Sequence, residues 1–237
     1  MSRSTLKIIA CISMLIDHLG FVMFPHIPIF HLIGRIAMPV FAFFIAEGAI
    51  HTRSRTKYFL RVFTLGLLCQ AVYIAEALIT HSSGGGYLNI LITFSLSILL
   101  CSTFLSAREN KTIKSISLFI LCIAFVLLLD LFFRKSNALL GVSIETDYGL
   151  YGIFLPLFAV IPKSKKGRLL LFSLYQFVFA YIFYSDIRVY LCSLIPLVFL
   201  LFYNGKSGKF NLKYFFYAFY PCHLAVIYLL NFIINAL

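Results

Sequence analysis

Charge is scarce in this sequence. Asp, Glu, Lys and Arg together make up 12% of the 237 residues, and only eight of them are acidic. A soluble domain is about half apolar and about a quarter charged. A chain that is 62% apolar, with a mean hydropathy of +0.98, lies far outside that range. At ~20 apolar residues per crossing, its length accommodates about nine spans joined by short loops, with no separate soluble domain. The expected fold is all-α: a polytopic transmembrane helix bundle, a single integral membrane domain over residues 1–237, with the lipid bilayer as its solvent.

Other signals are missing too. The basic start, Met1 to Lys7, looks like the head of a signal peptide, but no small-residue cleavage site is expected in the apolar stretch after it. The apolar stretch behind it carries Asp17 and His18, which a cleaved signal does not need, so it is expected to be a permanent first span. The six cysteines fall in apolar segments at no metal-binding spacing and read as small packing residues. No metal is expected. The internal repeat common in secondary transporters is not visible.

What is present is a regular alternation. Expected spans are 5–24, 30–50, 58–80, 87–106, 115–133, 148–162, 168–184, 188–203 and 213–237. One set of connections holds 16 basic residues, grouped around Arg3, Arg55, Arg108, Lys165 and Lys206. The other set holds three, Arg134, Lys135 and Arg188, and Arg35 alone lies within a span. Basic loops resist translocation, so the richer set is expected in the cytoplasm, with the N-terminus inside and the C-terminus outside. The segments 82–86 and 134–147 are expected as outside loops. Topology accounts for the basic residues, and no nucleic-acid partner is expected.

An ionisable group in hydrocarbon costs a few kcal/mol even on the gentlest scale, so each one is paired, hydrated or useful. Asp17 and His18 fall in the outer half of the first span, and Arg35 in the outer third of the second. Asn89 and Tyr148 open the fourth and sixth spans on the outer side. At these depths they are expected to share one polar cavity. Neighbours on a helix point about 100° apart, so Asp17 and His18 cannot share one face. One faces the cavity while the other turns to a neighbouring helix. Glu47 lies near the inner end of the second span and Glu76 near the outer end of the third. His223 sits mid-span in the last, behind Tyr217, Tyr220 and Pro221. Pro39 and Pro221 are expected to kink their spans. Plainer readings exist: Asp17–Arg35 as a structural ion pair, His223 as an interhelical hydrogen-bonding residue, and His26, His31, His51 and His81 as loop residues without a role.

Five motifs occur in order: LIDHLG (15–20), GRIAMPVFAFFIAEG (34–48), LNILITFSLSILL (88–100), DYGLYGIFLPL (147–157) and FYAFYPCHLAVIYL (216–229). Together they resemble the TraX family, whose founding member acetylates the N-terminus of F pilin. The most specific parts are the Asp17-His18 pair, Gly34-Arg35-x-x-x-Pro39-x-Phe41-Ala42, and Tyr220-Pro221-x-His223-Leu224. The family is in turn similar to membrane acyltransferases that move acetyl groups from cytoplasmic acetyl-CoA to acceptors across the membrane.

The resemblance implies a multi-pass enzyme of a bacterial cytoplasmic membrane, with acetyl-CoA as co-substrate. The acceptor would be a pilin-like protein amine or an envelope molecule, and the oligomeric state is left open. A histidine suits removal of the acceptor's proton, and a carboxylate can orient it. The implied catalytic set is His18 as general base, Asp17 or another buried carboxylate as its partner, and Arg35 or Asn89 polarising the thioester. His223 is the competing base or a proton shuttle. Asn89, Tyr148, Tyr220 and Glu47 are the candidate contacts to the donor. Two other classes compete: a small-solute or proton-coupled transporter, in which Asp17, His18 and Arg35 form a relay, and a structural scaffold.

Overall fold

The computed structural model describes residues 1–80, 87–140, 144–208 and 213–236, with the side chains of 76, 79–80, 137–140, 213–214 and 235–236 left aside. The order among them is α1 (Arg3–Met23), α2 (Pro28–Gly34), α3 (Ala37–His51), α4 (Arg55–Thr80), β1 (Tyr87–Leu88), α5 (Ile90–Asn110), α6 (Ile113–Leu140), β2 (Glu145–Thr146), α7 (Gly149–Val160), α8 (Lys165–Phe183), α9 (Ile187–Leu201) and α10 (Lys213–Ala236). The side chain of Glu76 and the expected loop 82–86 lie outside the described residues.

Helices coincide with all nine expected segments. Six stretches among the described residues are long and apolar enough to cross a bilayer: Arg3–Met23, Pro28–His51, Arg55–Ala75, Ile90–Asn110, Ile113–Ser136 and Phe215–Ile234. Helices α7 and α9, of 12 and 15 residues, fall short of the ~20 that a full crossing takes. The expected outside loop 134–147 is also revised: α6 continues through Arg134 and Lys135 to Leu140.

The apolar surface says what surrounds these helices. Only 11% of the apolar stretch of α6 is buried, and Leu121 and Leu128 are each 64% exposed. Aliphatic surface on that scale is not stable against water; the chain is a membrane protein whose outward faces meet lipid.

The chain gathers into two compact units, Met1–Phe41 with Leu169–Leu237, and Ala42–Arg168. In the first unit, α1 packs on α2 and α10, and α9 packs on α2. Hydrogen bonds from Arg3 N to Lys206 O (2.9 Å) and Asn204 N to Met1 O (3.0 Å) put the N-terminus and the α9–α10 connection at one end.

The second unit is built around α5, which packs on α4, α6 and α7 and is 56% buried over its span. Leu100, Cys122, Val126 and Ile153 form its core. Pro156 has no N–H, so the carbonyl of Gly152 loses its helical donor; Ser97 Oγ stands beside this turn, donating to Ile153 O at 2.8 Å and lying 3.5 Å from Gly152 O. At one end, Arg55 pairs with Glu109, and Arg108 donates to Val160 O and Ile161 O. At the other end, β1 and β2 pair in parallel, tying the α4–α5 and α6–α7 connections together.

The second expected span is not one helix. Pro39 would remove the hydrogen bond to the Arg35 carbonyl and crowd it. The chain resolves this by ending α2 at Gly34 and restarting at Ala37, which leaves Pro39 in the first turn of α3, where its N–H has no helical partner to lose. The expected kink is thus a break, and it falls at Arg35 itself.

Candidate functional site

Ending α2 early takes its last carbonyls out of the regular helical ladder: Arg35 N donates to Leu32 O at 3.3 Å and Ile36 N to Ile33 O at 3.2 Å, and side chains supply the remaining bonds that build the site. Ser13 Oγ donates to Ile33 O at 2.5 Å, and Arg35 Nε donates to His31 O at 3.1 Å. With Nε anchored on the preceding turn, Arg35 Nη2 reaches both oxygens of Asp17, at 2.9 Å and 3.2 Å. His31 Nδ1 meets Oδ1 of the same carboxylate at 2.9 Å. A methyl group at Gly34 would collide with the Asp17 side chain, so glycine there lets α2 close over the carboxylate. At 16% and 19% side-chain exposure, the Asp17–Arg35 pair is mostly withdrawn from solvent.

His18 turns the other way, as the 100° offset requires. Its Nδ1 lies 2.6 Å from Nε2 of His223 on α10, with the two rings nearly parallel. His223 is buried, and its Nδ1 meets the Phe219 carbonyl at 2.6 Å. Tyr220, also buried, stands edge-on to both imidazoles, at 6.1 Å from His18 and 5.5 Å from His223. The first unit therefore brings together Asp17, His18, Arg35, His223 and Tyr220. Asp17 is bonded to Arg35 and His31, and the recorded partner of His18 is a second histidine.

Asn89, Tyr148 and Glu47 belong to the second unit. Asn89 caps α5: Oδ1 accepts from Leu91 N, Nδ2 donates to Gly66 O and Gln70 Oε1, and its main-chain N–H donates to Gln70 Oε1. Buried at 1% exposure, it ties α4 to α5. Tyr148 stands before α7 with φ of 61°, in a turn held by Thr93 Oγ1 donating to Asp147 O and Tyr87 OH donating to Asp147 Oδ1. Glu47, also buried, pairs with Arg168 and lies 3.7 Å from His51.

Three partners escaped the sequence reading: His31, Gln70 and Arg168. The His31 signal was available, since it precedes Arg35 by four residues and so shares its face. The other two pair across helices and leave no local trace. Among the described residues, no three His, Cys, Asp or Glu side chains gather closely enough to hold a metal ion.

This geometry sits on the motifs that first suggested a family, and comparison with known proteins decides the point. The model of the TraX protein family matches residues 2–231. The chain belongs to the TraX family. Asp17, His18, Arg35 and His223, the charged and histidine core of the first unit, all fall within the TraX match. A probable fimbrial assembly protein, FimC of serogroup H1 from Dichelobacter nodosus, is 27% identical over 95% of this chain and 94% of its own. An uncharacterized protein of Rickettsia prowazekii, RP591, is 52% identical over a 42-residue stretch covering 18% of this chain and 17% of its own. No solved structure matches the TraX chain.

Proposed function

We propose that this chain is a membrane-embedded acetyltransferase, moving an acetyl group from cytoplasmic acetyl-CoA to an acceptor at the outer side of the bacterial cytoplasmic membrane. The observation that carries the reading is the His18–His223 pair, a hydrogen-bonded imidazole couple within a TraX-family helix bundle. Imidazole is the side chain suited to taking a proton from an amine or hydroxyl near neutral pH. As the acceptor's nitrogen or oxygen attacks the thioester carbonyl, one histidine of the pair takes its proton. The tetrahedral intermediate then collapses, the carbon–sulfur bond breaks, and the proton passes to the departing sulfur. The products are the acetylated acceptor and the CoA thiol, with both imidazoles neutral again.

Arg35, held by Asp17 and the His31 carbonyl, is the cation that stabilises the developing oxyanion. Tyr220 supplies an aromatic wall beside the histidines. Asn89 and Glu47, both engaged in interhelical bonds, serve the donor indirectly by holding helices. The name of the Dichelobacter relative favours a pilin-like peptide amine as acceptor over an envelope glycan. The topology in this reading is nine spans, counting short α7 and α9 and the broken second span, with the N-terminus inside and the C-terminus outside. Connections assigned to one side do meet at one end within each unit, which supports it.

The deciding experiment is acetyl-CoA binding, and release of the CoA thiol in the presence of a pilin-like peptide with a free N-terminal amine, by purified protein in lipid nanodiscs, on wild type and His18→Ala. Saturable binding by both, with CoA thiol and acetylated peptide formed only by wild type, is expected. PH-gradient-driven solute uptake by wild type, with no dependence on acetyl-CoA, would replace the enzyme with a transporter.

A further inference from the structure

A neutral imidazole carries one ring hydrogen, and the partners of its two nitrogens decide which one holds it. His223 Nδ1 faces the main-chain oxygen of Phe219 at 2.6 Å, and a carbonyl oxygen can only accept. The hydrogen of His223 is therefore on Nδ1, and its Nε2 presents a lone pair. That Nε2 lies 2.6 Å from Nδ1 of His18. Two lone pairs cannot bond, so the hydrogen between the rings belongs to Nδ1 of His18. The chain of donors runs from His18 Nδ1–H to His223 Nε2, and from His223 Nδ1–H to the Phe219 carbonyl. The unprotonated nitrogen at the head of this chain is Nε2 of His18.

We propose that His223 is not the base but a positioning residue, which locks His18 in the Nδ1–H tautomer so that His18 Nε2 is the base of acetyl transfer. Both nitrogens of His223 are engaged, one as donor and one as acceptor, so it has no lone pair to offer an incoming amine. Its ring is held by Phe219, stacked at a centroid distance of 4.7 Å, and by Tyr220, edge-on at 5.5 Å. The Phe219 carbonyl does for this pair what a buried carboxylate does in a catalytic triad: it fixes the tautomer of the neighbouring ring. When His18 Nε2 takes the acceptor's proton, Nδ1–H keeps pointing at a neutral acceptor, which steadies the imidazolium. Returning that proton to the departing CoA sulfur restores the starting tautomer. The catalytic role rests on the acetyltransferase reading; the tautomer does not.

The test is nitrogen NMR of the protein labelled with 15N-histidine in lipid nanodiscs, run on wild type, His223→Gln and His223→Phe. His18→Gln assigns the His18 signals. Gln keeps an acceptor oxygen where His223 has Nε2, and Phe keeps only the ring shape. Wild type and His223→Gln should show His18 protonated at Nδ1 and bare at Nε2, and His223→Phe should redistribute the hydrogen. The turnover rate should fall at least about tenfold in His223→Phe, with the acetyl-CoA KM within about twofold, and recover in His223→Gln. A wild-type His18 protonated at Nε2 overturns the proposal whatever the activity. So does a folded His223→Gln protein as inactive as His18→Ala. Absence of acetyl transfer in a wild type with the expected spectrum counts against the enzyme reading, while the tautomer chain stands.

Discussion

Gly34→Ala is the substitution whose outcome the geometry fixes most sharply. Two effects oppose each other. Alanine in a helix is favoured over glycine by roughly 0.5–1 kcal/mol, and less at a helix end. Against this, the three atoms nearest the new methyl all belong to the Asp17 side chain, too close to coexist with it. Overpacking of this kind costs about 1–3 kcal/mol, and displacing Asp17 also weakens its bonds to Arg35 and His31. The clash wins, and Gly34→Ala should destabilise the protein by about 1–3 kcal/mol. In an Asp17→Gly background the three obstructing atoms are gone, so the same change should be neutral or mildly stabilising. The two backgrounds thus differ by at least about 1 kcal/mol, well above the roughly 0.3–0.5 kcal/mol within which independent sites add. Reversible unfolding in mixed micelles, followed by circular dichroism for the four proteins of the cycle, measures that coupling. Equal destabilisation in both backgrounds would refute the close packing of α2 over Asp17.

Three further outcomes are expected. Arg35→Ala leaves a largely buried carboxylate without its main partner and should cost about 3–5 kcal/mol; adding Asp17→Asn should restore most of it in the same unfolding assay. Asn89→Ala removes a cap and leaves Gln70 and Gly66 short of donors, for about 2–3 kcal/mol. On the proposed acetyltransferase reading, acetyl-CoA affinity, read by calorimetry, should then stay within about twofold, and a tenfold loss in a well-folded variant would return Asn89 to the donor contacts. Ser97→Ala withdraws the hydroxyl bonded to Ile153 O beside the proline turn, and should lower stability by about 0.6–1.7 kcal/mol, from the average to the largest interhelical hydrogen bond found in a membrane protein.

Much of the architecture was legible because its causes are local. Apolar runs of ~20 residues mark helices whatever their neighbours do, which is why α1, α4, α5 and α10 fall where expected and α6 begins where expected before running on to Leu140. Pro39 announced a disturbance but not its form: whether a helix kinks or breaks depends on who serves the loosened carbonyls. Here those partners are Ser13, on another helix, and Arg35 itself. At the site, depth along each span was readable and direction was not. Asp17 and His18 were recognisable as neighbours that must diverge. That Asp17 would face α2 and His18 would face α10 is a property of packing between segments. The bonds of Asn89 to Gln70 and of Glu47 to Arg168 are invisible for the same reason.

The two histidines are separated by 205 positions in the chain. Helix α1 is the first of the described helices to be made and α10 the last. As the chain is synthesised, His18 therefore enters the bilayer long before any partner for its Nδ1 exists, and the eight helices between them are made first. The pair acts as a completion mark: an intermediate ending before α10 holds the aspartate–arginine bond of the first two helices but no imidazole couple. A ribosome stalled in the α9–α10 connection would thus leave a membrane-inserted product in which His18 has no imidazole partner and the α10-facing side of α1 is uncovered.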